Sequence, residues 1–149
     1  MTKTNRQVTI IESPFSAPTR EGIVRNVYYA MLAVLDSLGR GEAPYASHLF
    51  FTQMLDDNVP HERELGIDAG LEISRLAATA AVYVDFGISR GMENGVAAAR
   101  EAGRDIVERR LFDAESSTSK LEQLLKLEVA KHNLPDYETI ASIYARIIK

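Results

Sequence analysis

The densest run of chemistry-capable residues is Asp85-Phe86-Gly87-Ile88-Ser89-Arg90-Gly91-Met92-Glu93-Asn94. It sets a carboxylate after a short apolar stretch, then a glycine turn, then the start of a helix. The first amides of a helix lack partners inside it and can receive a phosphate or a carboxylate. Ser89 is placed either to cap that helix or to donate to such an anion. Glu93, in the first turn, complements the helix dipole whether or not it reacts. Gly87, Gly91 and Gly95 do not match the dinucleotide-binding glycine pattern.

Three other groups follow short extended runs: Glu12-Ser13-Pro14-Phe15, Ser47-His48-Leu49 and Glu108-Arg109. His48 is placed to face a pocket, although a packed or capped histidine is the commoner outcome. His61-Glu62-Arg63-Glu64 lacks partners at a metal-ligand spacing, so no metal site is expected. Glu64, Asp68 and Glu72 recur every four residues and read as a solvated helix face, relieved by Arg75. No Ser/His/Asp order supports a triad.

These groups need elements to hold them. Val8 to Glu12 is a β-branched run that reads as a strand, followed by a Pro- and Ser-rich loop. Thr19 is positioned to cap a helix whose apolar face is Ile23, Val27, Ala30, Met31, Val34, Leu35 and Leu38. Gly39 and Gly41 end it. Tyr28 and Tyr29 are expected to pack this helix on the sheet or on a subunit partner. Ala43 to Ser47 reads as a second strand, and Leu49 to Pro60 as a long connection. Pro60 is a first-turn proline opening a helix with Leu65, Ala69, Ile73, Leu76 and Ala77 on one stripe. Ala80 to Val84 reads as a buried parallel strand ending in Asp85, and Gly91 to Gly103 as a small-residue helix. Asp105 to Glu108 is a fourth strand.

Strands alternating with helices imply a parallel sheet with right-handed crossovers. The fold expected is therefore α/β, a Rossmann-like or flavodoxin-like parallel sheet flanked by helices. Beyond it lies a C-terminal helical appendix, with leucines at 121, 124, 125 and 127 on one helix. Asp136 caps a second, carrying Ile140, Ile143, Tyr144 and Ile147. The division is a flexible tail at 1–7, an α/β domain at 8–112 and a helical extension at 113–149. In such sheets ligands bind outside the carboxyl ends of the strands, which gathers the four groups above on one edge.

Composition removes whole classes. The 149 residues contain no cysteine, so disulfides, thiolate metal sites and cysteine nucleophiles are excluded. Lys and Arg total 17 against 21 Asp and Glu, a formal charge of -4 that argues against binding nucleic-acid polymers. The apolar run Leu76 to Val84 is far short of the ~20 residues of a membrane span. The polar Met1 to Gln7 lacks the core of a signal peptide, so a cytoplasmic location is expected.

Taken together, Ser13-Pro14-Phe15, Gly41-Glu42-Ala43-Pro44-Tyr45-Ala46-Ser47-His48-Leu49, Asp85 to Met92 and the Ala-rich helix closing at Gly103 resemble the nucleoside 2-deoxyribosyltransferase-like superfamily. The likeness is nearest to a small bacterial and phage branch and covers about Val8 to Arg110. It implies a transferase or hydrolase of the N-glycosidic bond of a (deoxy)nucleoside or its 5′-monophosphate, with no cofactor. In that chemistry a glutamate attacks the anomeric carbon, as in retaining glycosidases. The resemblance gives Asp85 the role of holding and protonating the leaving base. Ser89, Gly91 and Met92 fall in the hydroxyl- or phosphate-binding loop, and Ser13, Pro14 and Phe15 close over sugar and base, with His48 beside them. It also implies a homo-oligomer, and so do the two amphipathic C-terminal helices.

The superfamily's glutamate falls on Gly95 here. Glu93 lies two residues earlier, a step that turns a helical side chain by ~200°. Three outcomes follow: Glu93 has taken over as nucleophile, another carboxylate supplies it, or the chain is a non-catalytic nucleotide- or nucleotide-signal-binding protein.

Overall fold

A computed structural model describes residues 5–113 and 115–148. Four strands form one parallel sheet in the order β2-β1-β3-β4: β1 Val8–Glu12, β2 Ala43–Tyr45, β3 Thr79–Tyr83 and β4 Asp105–Arg109. The register sets Ile10 beside both Tyr45 and Ala80, and Ala81 beside Val107. The chain leaves β1 toward β2, then returns across β1 to β3. This reversal makes the β1/β3 boundary the switch point where open parallel sheets bind ligands. The expected α/β parallel-sheet class is the observed one.

Local chemistry explains the helices. In α1, Arg20–Gly39, the Thr19 side chain accepts from the Gly22 amide at 3.0 Å, the cap read from sequence. Pro60 opens α3, Pro60–Ser74, where its missing N–H costs nothing. Ser89 caps α4, Arg90–Glu101. Ser117 caps α5, Thr118–Lys131, and Asp136 caps α6, Tyr137–Ile143, accepting from the Thr139 amide at 2.8 Å. The connection after β2 is more ordered than expected. It contains a helical turn α2, Ser47–Phe50, and a 3₁₀ turn at Phe51–Gln53, tied by the Thr52 hydroxyl donating to the His48 carbonyl. β2 is correspondingly shorter, because Ser47 begins α2 instead of ending the strand.

Side chains of a strand alternate between faces. Ile11, Ala81 and Tyr83 face α1 and bury against Tyr29, Leu32 and Ala33. The C-terminal helices complete this side rather than hanging from it. Leu125 of α5 joins that cluster, while Ile140 and Ala141 of α6 and Tyr144 just after it pack with Ile23, Val24 and Val27 of α1. On the other face, Val82 and Val84 pack on Met92 of α4. Of α3 only Gly70 and Ser74 are buried. Leu65, Ile67 and Leu71 are exposed, and so is Leu76 just beyond its end. No helix among the described residues is long and apolar enough to cross a membrane.

Candidate active site

Because α3 stands off the sheet, a cavity of about 380 Å³ opens between it and the carboxyl ends of β1 and β2, with α4 as the third wall. Ile10 and Glu12, the outward pair of β1 on this face, line it, as does Tyr45 at the end of β2. Gly66, Gly70 and Leu71 line it from α3.

Among the described residues, three carboxylates reach this cavity: Glu12, Asp57 and Glu62. Two are engaged. Asp57 accepts from Arg63 at 2.8 Å and from Ser16 at 3.4 Å, and Glu62 accepts from the Asp56 amide at 2.6 Å. Glu12 receives no hydrogen bond from any described residue, and its nearest electrostatic relief is Arg104. Burial penalises its ionised form more than Arg104 helps, and its carboxyl is pushed up to about 7. The residue opposite is Gly95 of α4. A Cβ built there would lie within 2.6 Å of all three atoms of the Glu12 carboxylate. The Glu12 carboxylate thus occupies the space that a side chain at 95 would take.

Beside Glu12, the Ser13 hydroxyl and His48 Nε2 are 2.7 Å apart, each able to donate according to the histidine tautomer. Burial holds the His48 ring at about 4, so it is neutral near pH 7. Phe15 stacks edge-on against His48 and also contacts Tyr144 at the end of α6. It lines the cavity with one edge while the rest of the ring belongs to the α1–α6 core, so it is a fixed wall rather than a closing flap. The Tyr45 hydroxyl is buried with no hydrogen-bond partner among the described residues. A buried unpaired hydroxyl in a cavity wall is available to a ligand.

The fourth feature is the start of α4. Gly87, at φ +85°, makes the turn that leads into it. Ser89, Arg90, Gly91 and Met92 all line the cavity. The Ser89 hydroxyl caps the helix by accepting from the Met92 amide at 3.3 Å, and the Ser89 amide meets the Met92 sulfur. Ser89 therefore shapes the loop as a cap. Arg90 adds positive charge at this end, and Arg63 lines the cavity from α3 while paired with Asp57.

The structure brings Ser13, Phe15, His48, Ser89, Gly91 and Met92 together in the lining of one cavity. Asp85, Glu93 and Pro14 do not line it. Asp85 is buried and saturated: one oxygen accepts from the Tyr29 hydroxyl at 2.6 Å and the Leu111 amide at 2.8 Å, and the other from the Phe112 amide at 3.0 Å. It fastens the chain leaving β4 to α1. Glu93 is exposed on α4, while Asn94 and Gly95 turn inward, as the two-residue rotation requires. Pro14 is buried outside the cavity lining.

The residues without an assigned role in the sequence were Glu12, Tyr45 and Gly95. Glu12 carried a signal, being the last residue of the first strand. Its pairing with Gly95 spans 83 positions and depends on how α4 lies across β1. Residues 7–109 match a family profile described as a domain of unknown function (DUF7768). No curated protein matches the chain.

Proposed function

The chain belongs to that domain family, whose description carries no activity, and on the geometry of its own cavity we propose an enzyme of the N-glycosidic bond. The substrate is a (deoxy)nucleoside or its 5′-monophosphate, cleaved by hydrolysis or by transfer of the sugar to another base. The observation that carries this reading is a nucleoside-sized cavity at the carboxyl ends of β1 and β2, beside the β1/β3 switch point, holding a half-buried carboxylate with no hydrogen-bond partner among the described residues. Perturbed titratable groups in clefts mark functional sites. Arg63, Arg90 and the α4 amides suit a 5′-phosphate, and Tyr45, Ser13 and His48 offer hydrogen bonds to sugar or base. The sequence resemblance to nucleoside 2-deoxyribosyltransferase-like proteins supports the same chemistry.

The test is incubation of the purified protein with deoxynucleosides and their monophosphates, followed by chromatography for free base. Base release supports an enzyme. Tight binding across the panel without release supports the second reading, a nucleotide-binding protein without catalysis, which Gly95 at the superfamily's glutamate position favours.

A homo-oligomer remains part of the proposal, with changed grounds. The apolar stripes of α5 and α6 bury on α1, whereas Leu65, Leu71 and Leu76 stay exposed on and just after α3. A second copy would meet the chain there, and a monomeric mass by light scattering at micromolar concentration contradicts it.

A further inference from the structure

We propose that Glu12 is the nucleophile, its carboxylate reaching from β1 into the space that a side chain at position 95 would otherwise fill; this rests on the N-glycosidic reading above. The argument is one of elimination and exclusion. Of the three carboxylates lining the cavity among the described residues, Asp57 and Glu62 are held by Arg63 and the Asp56 amide, and Glu12 has no hydrogen-bond or ion-pair partner among those residues. Glu93 is exposed and outside the lining. Glu12 and a side-chain-bearing residue 95 cannot coexist as placed, because the added Cβ would overlap the carboxylate. One carboxylate therefore serves this point of the cavity, and it arrives from the strand rather than from the helix.

The unpaired state suits a nucleophile. A carboxylate that accepts three donors, as Asp85 does, has most of its lone pairs engaged. The burial that raises Glu12 also makes its ionised form a stronger base toward carbon. In the first step a Glu12 oxygen forms a bond to the anomeric carbon while the C–N bond breaks. The N-glycosidic electron pair leaves with the base, which takes a proton from water. In the second step water or an acceptor base attacks the same carbon, loses a proton, and displaces Glu12 as carboxylate. The configuration at the anomeric carbon is retained through two displacements.

The experiment compares base release from a panel of deoxynucleosides and deoxynucleoside monophosphates by the wild type, E12Q, E12A, E93Q and the exchange variant E12A/G95E. E12Q is nearly isosteric and removes a buried charge, so its folding is checked by circular dichroism rather than assumed. The expected result is loss of turnover by ~10³-fold or more in E12Q and E12A. Measurable recovery is expected in E12A/G95E, which brings a carboxylate to the same space from the other side. Turnover retained in E12Q, turnover lost in E93Q but not in E12Q, or an exchange variant no better than E12A overturns the assignment while the glycosidic reading stands. A silent wild type across the whole panel removes that reading, and this inference with it.

Discussion

The two faces of the sheet are built to opposite specifications. On the α1 face, three helices and the sheet close on each other, and Val27, Ala30, Ala33 and Ile140 are fully enclosed. On the α3 face, α4 packs on the strands but α3 contributes only Gly70 and Ser74 to the interior. The polar groups follow the same division. Asp85 and Asn26, buried on the closed side, are satisfied: Asp85 takes three hydrogen bonds, and Asn26 donates to the Phe15 carbonyl at 2.9 Å. On the open side Glu12, half-buried, and the buried Tyr45 hydroxyl have none among the described residues. A protein that fills one face and leaves unsatisfied groups on the other holds stability and chemistry apart. The C-terminal helices make the closed side possible, so they belong to the scaffold of the site although they lie far from it.

The largest expected effect is on the closed face. Ile140→Ala empties a fully enclosed position between α6 and α1, and is expected to cost about 2–5 kcal/mol in denaturant unfolding. A loss under 1 kcal/mol would mean that α6 is only loosely docked. Asp85→Ala is expected to cost about 3 kcal/mol, because it orphans a buried hydroxyl and two amides. Since Asp85 lies outside the cavity lining, the loss is expected in stability first. Wild-type stability with abolished turnover would return Asp85 to the chemistry.

Next comes a gain on the open face. Glu12 titrates at about 7 when folded against 4.5 ordinarily, so its ionisation favours unfolding. Its penalty is absent below about pH 4.5, grows as pH rises toward 7, and levels near 3 kcal/mol above that. E12Q is therefore expected to be more stable than the wild type at pH 8 and similar to it at pH 4. His48, held at about 4, acts in the other direction: its contribution is full above its ordinary 6.5 and is lost as pH falls toward 4. Base release should rise as pH climbs through about 7, as Glu12 ionises. The groups around it are Arg104 before β4, His48 on α2, Tyr45 on β2, Asp57, Glu62 and Arg63 around the start of α3, and Arg90 on α4. A profile that falls through pH 7 would mean that Glu12 acts as an acid.

The smallest effect is expected from Leu71→Ser on α3, which is exposed. It should change monomer stability by no more than about 0.5 kcal/mol. A larger loss that depends on protein concentration would show that a second copy covers α3.

Much of this architecture is local and hence readable. Thr19, Pro60, Ser89 and Asp136 act within a few residues of themselves, and each begins the helix that its position announces. The turn at Ser47–Gln53 was harder to read, since its support is a hydroxyl bonding back to a carbonyl in a segment without apolar period. The stripes of α5 and α6 were legible as apolar faces, but which surface they cover depends on α1, about a hundred positions away. The site divided in the same way. Ser89, Gly91 and Met92 form one turn and were found together. Glu93 and Asp85 are conspicuous in the sequence, but which way a carboxylate faces depends on how its element packs, and neither lines the cavity. Glu12 is set by alternation along β1, but its partner is a missing side chain on α4.

The most direct measurement is the mass of the protein acid-quenched during turnover of a deoxynucleoside, followed by digestion to locate any sugar. A nucleophile on β1 predicts one deoxyribosyl adduct, carried by the peptide that contains Glu12 and absent from E12Q. An adduct on the peptide containing Glu93, or steady base release with no adduct at all, would contradict it.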